Sequence, residues 1–221
     1  SELQEKYGSP NPKGLMEYIS TCKREFKPQT KFQYSCLNYI TLQHIIETIT
    51  GQSLRDFAKE NIFDILGMQY TDYLPTIQQQ DGKWINTVAC PWMDRIAPTE
   101  KQKDGSVLCG QVHDPLARIL NGGISGNAGI FSNANDIGIL AAALLNGGEY
   151  NGHRILSPLG VKTMCTVPRE LTAFGRTPGW DIFSPYASNK GDLFSPNTFG
   201  HTGYTGTSII IDPDNDTAVI L

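Results

Sequence analysis

The chain has 221 residues, of which 39% are hydrophobic and 18% are charged, a composition typical of one globular domain or two small ones. Its net charge is −4, and it has no basic tract that could neutralise a row of phosphates, which argues against a nucleic-acid partner. The longest apolar stretches, such as 137–145, reach about half of the roughly 20 residues that a membrane-spanning helix needs. The sequence therefore predicts a soluble protein with no transmembrane segment.

The cysteines and histidines give no sign of a metal centre. No Cys-x-x-Cys motif occurs, and the four histidines are scattered along the chain, so a zinc ribbon or a redox motif has little support. We expect the thiols to be reduced, buried and to act as small hydrophobic groups, although up to two disulfides would be possible. The five cysteines are Cys22, Cys36, Cys90, Cys109 and Cys165.

The first third of the chain predicts helices. A short helix is expected over 15–22. Apolar residues at helical spacing predict a second helix over 37–50, for which Gly51 is the C-terminal stop. A third helix is predicted over 54–66, since Ser53 is well placed as its N-cap.

The middle of the chain predicts an irregular segment and then two helices. Residues 70–110 show no sustained period, and an excursion of this length is usually functional or packed against a larger body. A glycine-rich run at 121–129 precedes an apolar helix that Asn135 and Asp136 are expected to open. Another short helix should begin at Ser157, which is followed by proline.

The end of the chain predicts strands over 199–204, 207–212 and 217–221. Helices followed by strands imply an α/β or α+β fold. We expect residues 1–198 to form a mainly helical subdomain with long loops and 199–221 to form the terminal strands, both within one domain. Because the chain opens in a polar loop and stops in a strand, we also expect it to be incomplete at both ends.

Two clusters are candidates for chemistry. The first is Tyr34-Ser35-Cys36-Leu37-Asn38-Tyr39, at the start of the predicted second helix, and the second is Gly200-His201-Thr202-Gly203-Tyr204-Thr205-Gly206. Glycines in a strand give up side-chain packing, which favours a site where a ligand or another backbone comes close. The alternative is that these glycines relieve a sharp bend or bulge, and the sequence leaves both interpretations open.

Together the clusters resemble the serine β-lactamase and penicillin-binding protein-like family, in its class C β-lactamase, DD-peptidase and esterase branch. That family is recognised by Ser-x-x-Lys, Tyr-x-Asn and Lys-Thr-Gly or His-Thr-Gly. The resemblance extends over nearly the whole chain, and it is carried by segments 31–39, 45–51, 62–68, 112–114, 121–132 and 200–212.

The resemblance implies a β-lactamase/transpeptidase-like α/β fold, of which this chain supplies the helical subdomain and the C-terminal antiparallel strands. It also implies serine acyl transfer on an ester or amide, with a small-molecule or peptide substrate and no metal or organic cofactor. A periplasmic or secreted location follows from the resemblance alone. Oligomeric state does not follow from the sequence.

The resemblance also assigns roles to particular residues. Tyr34 would help to deprotonate the serine nucleophile and would later reprotonate the leaving group, which a phenol can do only beside a cation or a lysine that shares its proton. His201, Thr202 and Gly203 would line the substrate cleft, and the backbone N–H of Tyr204 would form half of an oxyanion hole. Tyr34 and His201 are therefore expected to face each other across one crevice.

The nucleophile itself is not evident. The only Ser-x-x-Lys begins at Ser20, shortly before Tyr34, and its Lys23 leads into a polar turn rather than a buried helix. We expect Ser20 to be unrelated to catalysis, the nucleophile to lie on polypeptide outside these 221 residues, and the chain as given to be catalytically incomplete.

Two departures from the family pattern bear on the substrate. Cys36 stands where the family often has Asn, and a thiol is a weak hydrogen-bond partner, which argues against efficient β-lactam turnover. His201 replaces a lysine, and a histidine is mostly neutral near pH 7, which favours a peptidase or esterase over a β-lactamase. The alternative function is a non-catalytic protein that binds cell-wall fragments or a partner chain.

Overall fold

The structure is a computed structural model that describes residues 5–6, 8–187 and 190–221. Its contacts divide the chain into two compact units, each of which is assembled from several separate stretches. The first unit comprises Ser1–Arg24, Tyr34–Glu60 and Tyr70–Ser132, and the second comprises Glu25–Gln33, Asn61–Gln69 and Asn133–Leu221.

Two helices of the first unit begin or end at residues that commonly start or stop a helix. Helix α1 (Pro12–Thr21) has proline in its first turn, and helix α2 (Cys36–Thr50) ends at Gly51, which adopts the left-handed conformation with φ of 69°. Both helices were predicted to within a few residues. They contribute to a buried apolar cluster of Leu15, Ile40 and Leu120.

The third predicted helix is a composite. Helix α3 (Leu54–Ala58) starts at its N-cap Ser53, as predicted, and continues through a π-helical segment (Lys59–Phe63) into the single turn α4 (Asp64–Leu66). A π-helical segment widens the helix locally. Gly67 ends the run in the left-handed region.

The stretch predicted to be irregular contains short antiparallel strands. Two hairpins form there, and both turns contain the Asp-Gly pair that favours tight hairpins, with Gly82 and Gly105 at positive φ. Its strands are β1 (Asp72–Tyr73), β2 (Thr76–Gln78), β3 (Trp84–Asn86), β4 (Glu100–Lys101) and β5 (Val107–Leu108), of which β2 pairs with β3 and β4 with β5. A 3₁₀ turn (Met93–Arg95) lies in the same stretch. After it come a π-helical segment (Leu116–Leu120) and strand β6 (Ile130–Phe131), which pairs with β1.

The second unit places two helices ahead of its main sheet. Helix α5 (Ala134–Leu145) is capped by Asn133 rather than by the predicted Asn135, and helix α6 (Pro158–Cys165) is capped by Ser157, as predicted. A small hairpin, β7 (Glu149–Tyr150) with β8 (His153–Arg154), separates the two helices, and a 3₁₀ segment (Arg169–Phe174) follows them.

The main sheet contains the three strands predicted at the end of the chain. They are β9 (Phe199–Thr202), β10 (Ser208–Asp212) and β11 (Thr217–Ile220), antiparallel in the order β11-β10-β9. Helices and sheet share one apolar cluster, formed by Ala141, Leu144, Val161, Phe199 and Ile211. The mixed α/β class is therefore confirmed, whereas the subdomain boundary at residue 198 stays a prediction.

All five cysteines are free, as expected, but none is fully buried: Cys22 and Cys109 are exposed, and the other three are half-buried. Among residues 5–6, 8–187 and 190–221, no cluster of three or more His, Cys, Asp or Glu side chains could hold a metal ion. Within the same residues, no helix has both the length and the apolar character needed to cross a membrane.

Candidate active site

The first cluster lies in the first unit, at the entrance to α2. Ser35 is the N-cap of this helix: its backbone is extended, and its hydroxyl accepts a hydrogen bond from the N–H of Leu37 at 3.3 Å. Tyr34 and Cys36 flank this cap, and both are half-buried. The N-cap at Ser35 therefore holds the backbone of Tyr34 and Cys36 in place at the start of α2.

A buried amide ties α2 to the glycine-rich run. The Gln43 carbonyl oxygen accepts from the N–H of Gly126 at 2.9 Å and from the Asn121 side-chain amide at 3.3 Å, and the Gln43 amide donates to the Ile124 carbonyl at 3.1 Å. Gln43 is 7% exposed, so each of these bonds replaces one that water would make. The glycine-rich run thus holds the helix that follows Tyr34, a role that the sequence did not reveal.

The second cluster lies in the second unit, at the end of β9. His201 and Thr202 are the last residues of this strand, and Gly203 begins the turn to β10. The Gly203 N–H donates to the Thr207 carbonyl at 2.7 Å, and a β-carbon on Gly203 would lie 2.3 Å from the Thr207 hydroxyl oxygen. A side chain at Gly203 would therefore have to displace the Thr207 hydroxyl, and the role of Gly203 in a substrate cleft stays a prediction.

The turn between β9 and β10 also contains Gly206 and the exposed Tyr204. Gly206 has φ of +95°, a conformation that glycine adopts without strain. The Tyr204 side chain is 92% exposed, so the phenol lies at the surface of the second unit. Its proposed contribution is its backbone N–H, which stays a prediction.

His201 is held by hydrogen bonds on both ring nitrogens. Its Nε2 lies 2.8 Å from Nη2 of Arg176, and its Nδ1 lies 2.8 Å from the carbonyl oxygen of Thr202. Nη1 of Arg176 in turn contacts a carboxylate oxygen of Asp181 at 2.6 Å. Neither partner is evident from the sequence, because Arg176 and Asp181 lie in a segment without helical or strand periodicity.

Asp181 is anchored to the sheet by its backbone. It exchanges two hydrogen bonds with Gly200, at 2.9 and 3.0 Å, and so forms an antiparallel bridge beside β9. Its carboxylate also accepts from the N–H and the hydroxyl of Ser184. Because the backbone of Asp181 pairs with Gly200, part of the outer side of β9 is already occupied.

A lysine fastens the segment between Asp181 and β9. The Lys190 ammonium donates to the carbonyls of Ile182 and Thr198. Burial lowers the pKa of Lys190, and the Asp181 carboxylate acts in the opposite direction. Lys190 therefore stabilises the chain beside β9, and its ammonium is committed to backbone carbonyls.

The one Ser-x-x-Lys motif has no catalytic geometry. The Ser20 hydroxyl donates to the Glu17 carbonyl at 2.7 Å in the exposed last turn of α1, and Lys23 lies beyond the end of that helix. A serine nucleophile needs a base within hydrogen-bonding reach. The placement of Ser20 supports the expectation that it is not the nucleophile.

Each half of the predicted site is therefore assembled locally, with Tyr34 beside Cys36 and His201 beside Thr202 and Gly203. The expectation that the two halves face one crevice stays a prediction, as do the substrate-binding roles of these residues.

Comparison with known proteins identifies the relatives of this chain. A model of the beta-lactamase family matches residues 2–221. A protein of Escherichia coli (strain K12) named "Putative D-alanyl-D-alanine carboxypeptidase" is 34% identical over 220 residues, which cover 93% of this chain and 48% of that protein. The chain thus spans about half the length of this curated relative.

Solved structures show the same fold. A penicillin-binding protein homolog from Caulobacter crescentus aligns with a TM-score of 0.62 and 17% identity over 94% of this chain and 56% of its own. An octameric penicillin-binding protein homologue from Pyrococcus abyssi aligns with a TM-score of 0.58 and 17% identity over 96% of this chain and 43% of its own. The fold is therefore β-lactamase/transpeptidase-like, and the chain belongs to the beta-lactamase family.

Proposed function

We propose that this chain is part of a serine hydrolase that cleaves an ester or amide through an acyl-enzyme. The observation that carries the proposal is the His201-Thr202-Gly203 segment, which ends strand β9 and turns sharply at its glycine, as in the His-Thr-Gly pattern of the DD-peptidase and esterase branch. Membership of the beta-lactamase family supports it.

In the proposed reaction, Tyr34 is the general base and then the general acid. The phenolate takes the proton of the serine hydroxyl, the serine oxygen attacks the substrate carbonyl, and the bond to the leaving group breaks as Tyr34 returns the proton to it. Water then hydrolyses the acyl-enzyme. The backbone N–H of Tyr204 is proposed to donate to the carbonyl oxygen as negative charge develops there.

The serine and its lysine are proposed to lie on polypeptide outside these 221 residues. The surface position of Ser20 supports this proposal, as does the coverage of only 48% of the Escherichia coli relative.

We propose a peptide ending in D-alanyl-D-alanine, or a small ester, as the substrate. The name of the Escherichia coli relative suggests the peptide. Cys36 argues against β-lactams, because its thiol replaces an amide that would bind the substrate carbonyl. A periplasmic or secreted location is part of the same proposal, since cell-wall peptides are found there.

The same thiol also favours the second candidate function. A protein that keeps the fold but lacks efficient acyl transfer would bind cell-wall fragments without cleaving them. The two candidates differ in whether a covalent acyl-enzyme forms.

Covalent labelling tests the proposal. The 221-residue chain should not be labelled by a fluorophosphonate or a β-lactam probe, and a Ser20→Ala variant should give the same blank result. The full-length polypeptide should be labelled at one serine and should hydrolyse D-alanyl-D-alanine peptides or p-nitrophenyl esters faster than nitrocefin. Stoichiometric labelling of Ser20 would overturn the assignment of the nucleophile. Binding of a cell-wall fragment without labelling of the full-length protein would establish the second candidate.

A further inference from the structure

We propose that Arg176, held by its ion pair with Asp181, is a positioning residue that sets the tautomer of the neutral His201 ring beside strand β9. This inference rests on the proposed function only in that His201 then lies at the substrate cleft. Its geometry is independent of any activity.

Hydrogen-bond chemistry determines the tautomer. A guanidinium only donates hydrogen bonds, so Nε2 of His201, 2.8 Å from Nη2 of Arg176, must be the acceptor. The proton of a neutral imidazole then lies on Nδ1, where it is donated to the Thr202 carbonyl at 2.8 Å. A doubly protonated ring would place two donors opposite each other, and the Arg176 contact would be lost.

Asp181, which holds Arg176 in place, is itself bonded to the sheet. Nη1 of Arg176 contacts the Asp181 carboxylate at 2.6 Å, and the side chains of Arg176 and Asp181 are only 13% and 8% exposed. The backbone of Asp181 is bonded to Gly200, the residue before His201. The guanidinium is therefore fixed relative to the imidazole, since one strand register determines both.

The charge of the guanidinium is balanced by its partner. An arginine stays protonated at every pH at which proteins are folded, and the Asp181 carboxylate lies 2.6 Å from Nη1 of Arg176. Arg176 and Asp181 therefore form an ion pair, and Nη2 of the same guanidinium contacts the His201 ring.

Nuclear magnetic resonance of the protein with ¹⁵N-labelled histidine tests the proposal. At a pH of about 8, the His201 ring should show a protonated Nδ1 and an unprotonated Nε2, with the signal assigned by its loss in His201→Gln. In Arg176→Met, which removes the donors but keeps an apolar stem, the tautomer ratio should move about tenfold towards Nε2–H, the value of one charged hydrogen bond. Arg176→Lys, which can donate but cannot bridge both partners, should give an intermediate ratio.

The other histidines serve as internal controls. The ring signals of His44, His113 and His153 should be the same in all variants, which shows that the fold is intact. A wild-type spectrum with the proton of His201 on Nε2 overturns the proposal even if no variant folds, and so does an unchanged tautomer in Arg176→Met. Failure of the proposed function would appear as absent hydrolysis and would leave this measurement unaffected.

Discussion

Gly126 lies directly against the backbone carbonyl of Tyr39 in helix α2, so that a β-carbon on Gly126 would be 2.1 Å from the carbonyl oxygen. No side chain can occupy that space unless the glycine-rich run or the helix moves. The relationship explains why a glycine follows Ser125 in a segment that otherwise reads as a flexible loop.

Gly126→Ala should destabilise the protein by about 2–3 kcal/mol, because the new methyl group overpacks a rigid backbone contact. Urea unfolding followed by circular dichroism measures this. Gly138→Ala is the matched control: a β-carbon there would meet only Ile220 Cδ1 at 3.9 Å, and alanine in helix α5 should stabilise by about 0.5–1 kcal/mol. Equal effects of the two substitutions would contradict the contact with Tyr39.

Gln43→Leu should cost about 2–4 kcal/mol of unfolding free energy. The leucine fills a similar volume but leaves the partly buried Gly126 N–H and Ile124 carbonyl without their partner. Thermal unfolding checks this. Gln52→Leu removes a glutamine whose amide bonds the exposed Glu60 carboxylate, and it should change stability by less than about 0.5 kcal/mol.

Asp212 should make the second unit sensitive to acid. It is fully buried; burial alone would raise its pKa, but hydrogen bonds from Ser195, Asn215 and Asp214 outweigh that effect and hold the pKa well below its usual range. The unfolded-state pKa is about 4, so the stabilisation is complete above that pH and is lost as the pH falls towards the folded-state pKa.

Asp212→Asn should therefore lose about 2–3 kcal/mol at pH 7, and its unfolding free energy should fall less steeply than that of the wild type below about pH 5. Urea unfolding at a series of pH values measures both. Asp216→Asn, in the exposed turn between β10 and β11, should behave as the wild type. Parallel pH curves for the wild type and Asp212→Asn would contradict the role of Asp212.

Tyr34→Phe should lower kcat of the full-length protein by about 10²–10⁴, the range for loss of a general acid–base group. KM and the circular dichroism spectrum should change little, since Ser35 still caps α2. Tyr150→Phe, on strand β7, should leave kcat at the wild-type value. A Tyr34→Phe enzyme with normal kcat would remove Tyr34 from the mechanism.

Cys36→Asn should increase β-lactam acylation of the full-length protein by about tenfold, because an amide can donate one hydrogen bond that the thiol makes poorly. Stopped-flow measurement with nitrocefin checks this. Cys22→Asn changes an exposed thiol at the end of α1 and should have no effect. An equal or slower rate in Cys36→Asn would show that another group limits β-lactam turnover.

The sequence predicted features that depend on near neighbours. Ser53, Ser157 and Gly51 define helix ends because caps act over three or four residues. The hairpins at Gly82 and Gly105 depend on an equally local signal, the Asp-Gly pair, which favours a tight turn between two strands. Helix α5 begins two residues early because Asn133 caps it as well as Asn135 would.

The features that the sequence did not predict depend on distant parts of the chain. Arg176 contacts His201 beside the bridge between Asp181 and Gly200, across 25 residues of sequence. Gly126 is a glycine because of the Tyr39 carbonyl. No periodicity or cap signal records such contacts, since neither partner is near the other in sequence.

The alternation of the chain between its two units limits how the protein can be divided. The backbone passes from one unit to the other after Arg24, Gln33, Glu60, Gln69 and Ser132, so no single cleavage releases the second unit whole. A protease nick after Ser132 would yield a C-terminal fragment without residues 25–33 and 61–69. Expression of the second unit by itself would therefore require its three stretches to be joined by engineered linkers, whereas truncation after Ser132 would keep the whole first unit together with residues 25–33 and 61–69 of the second.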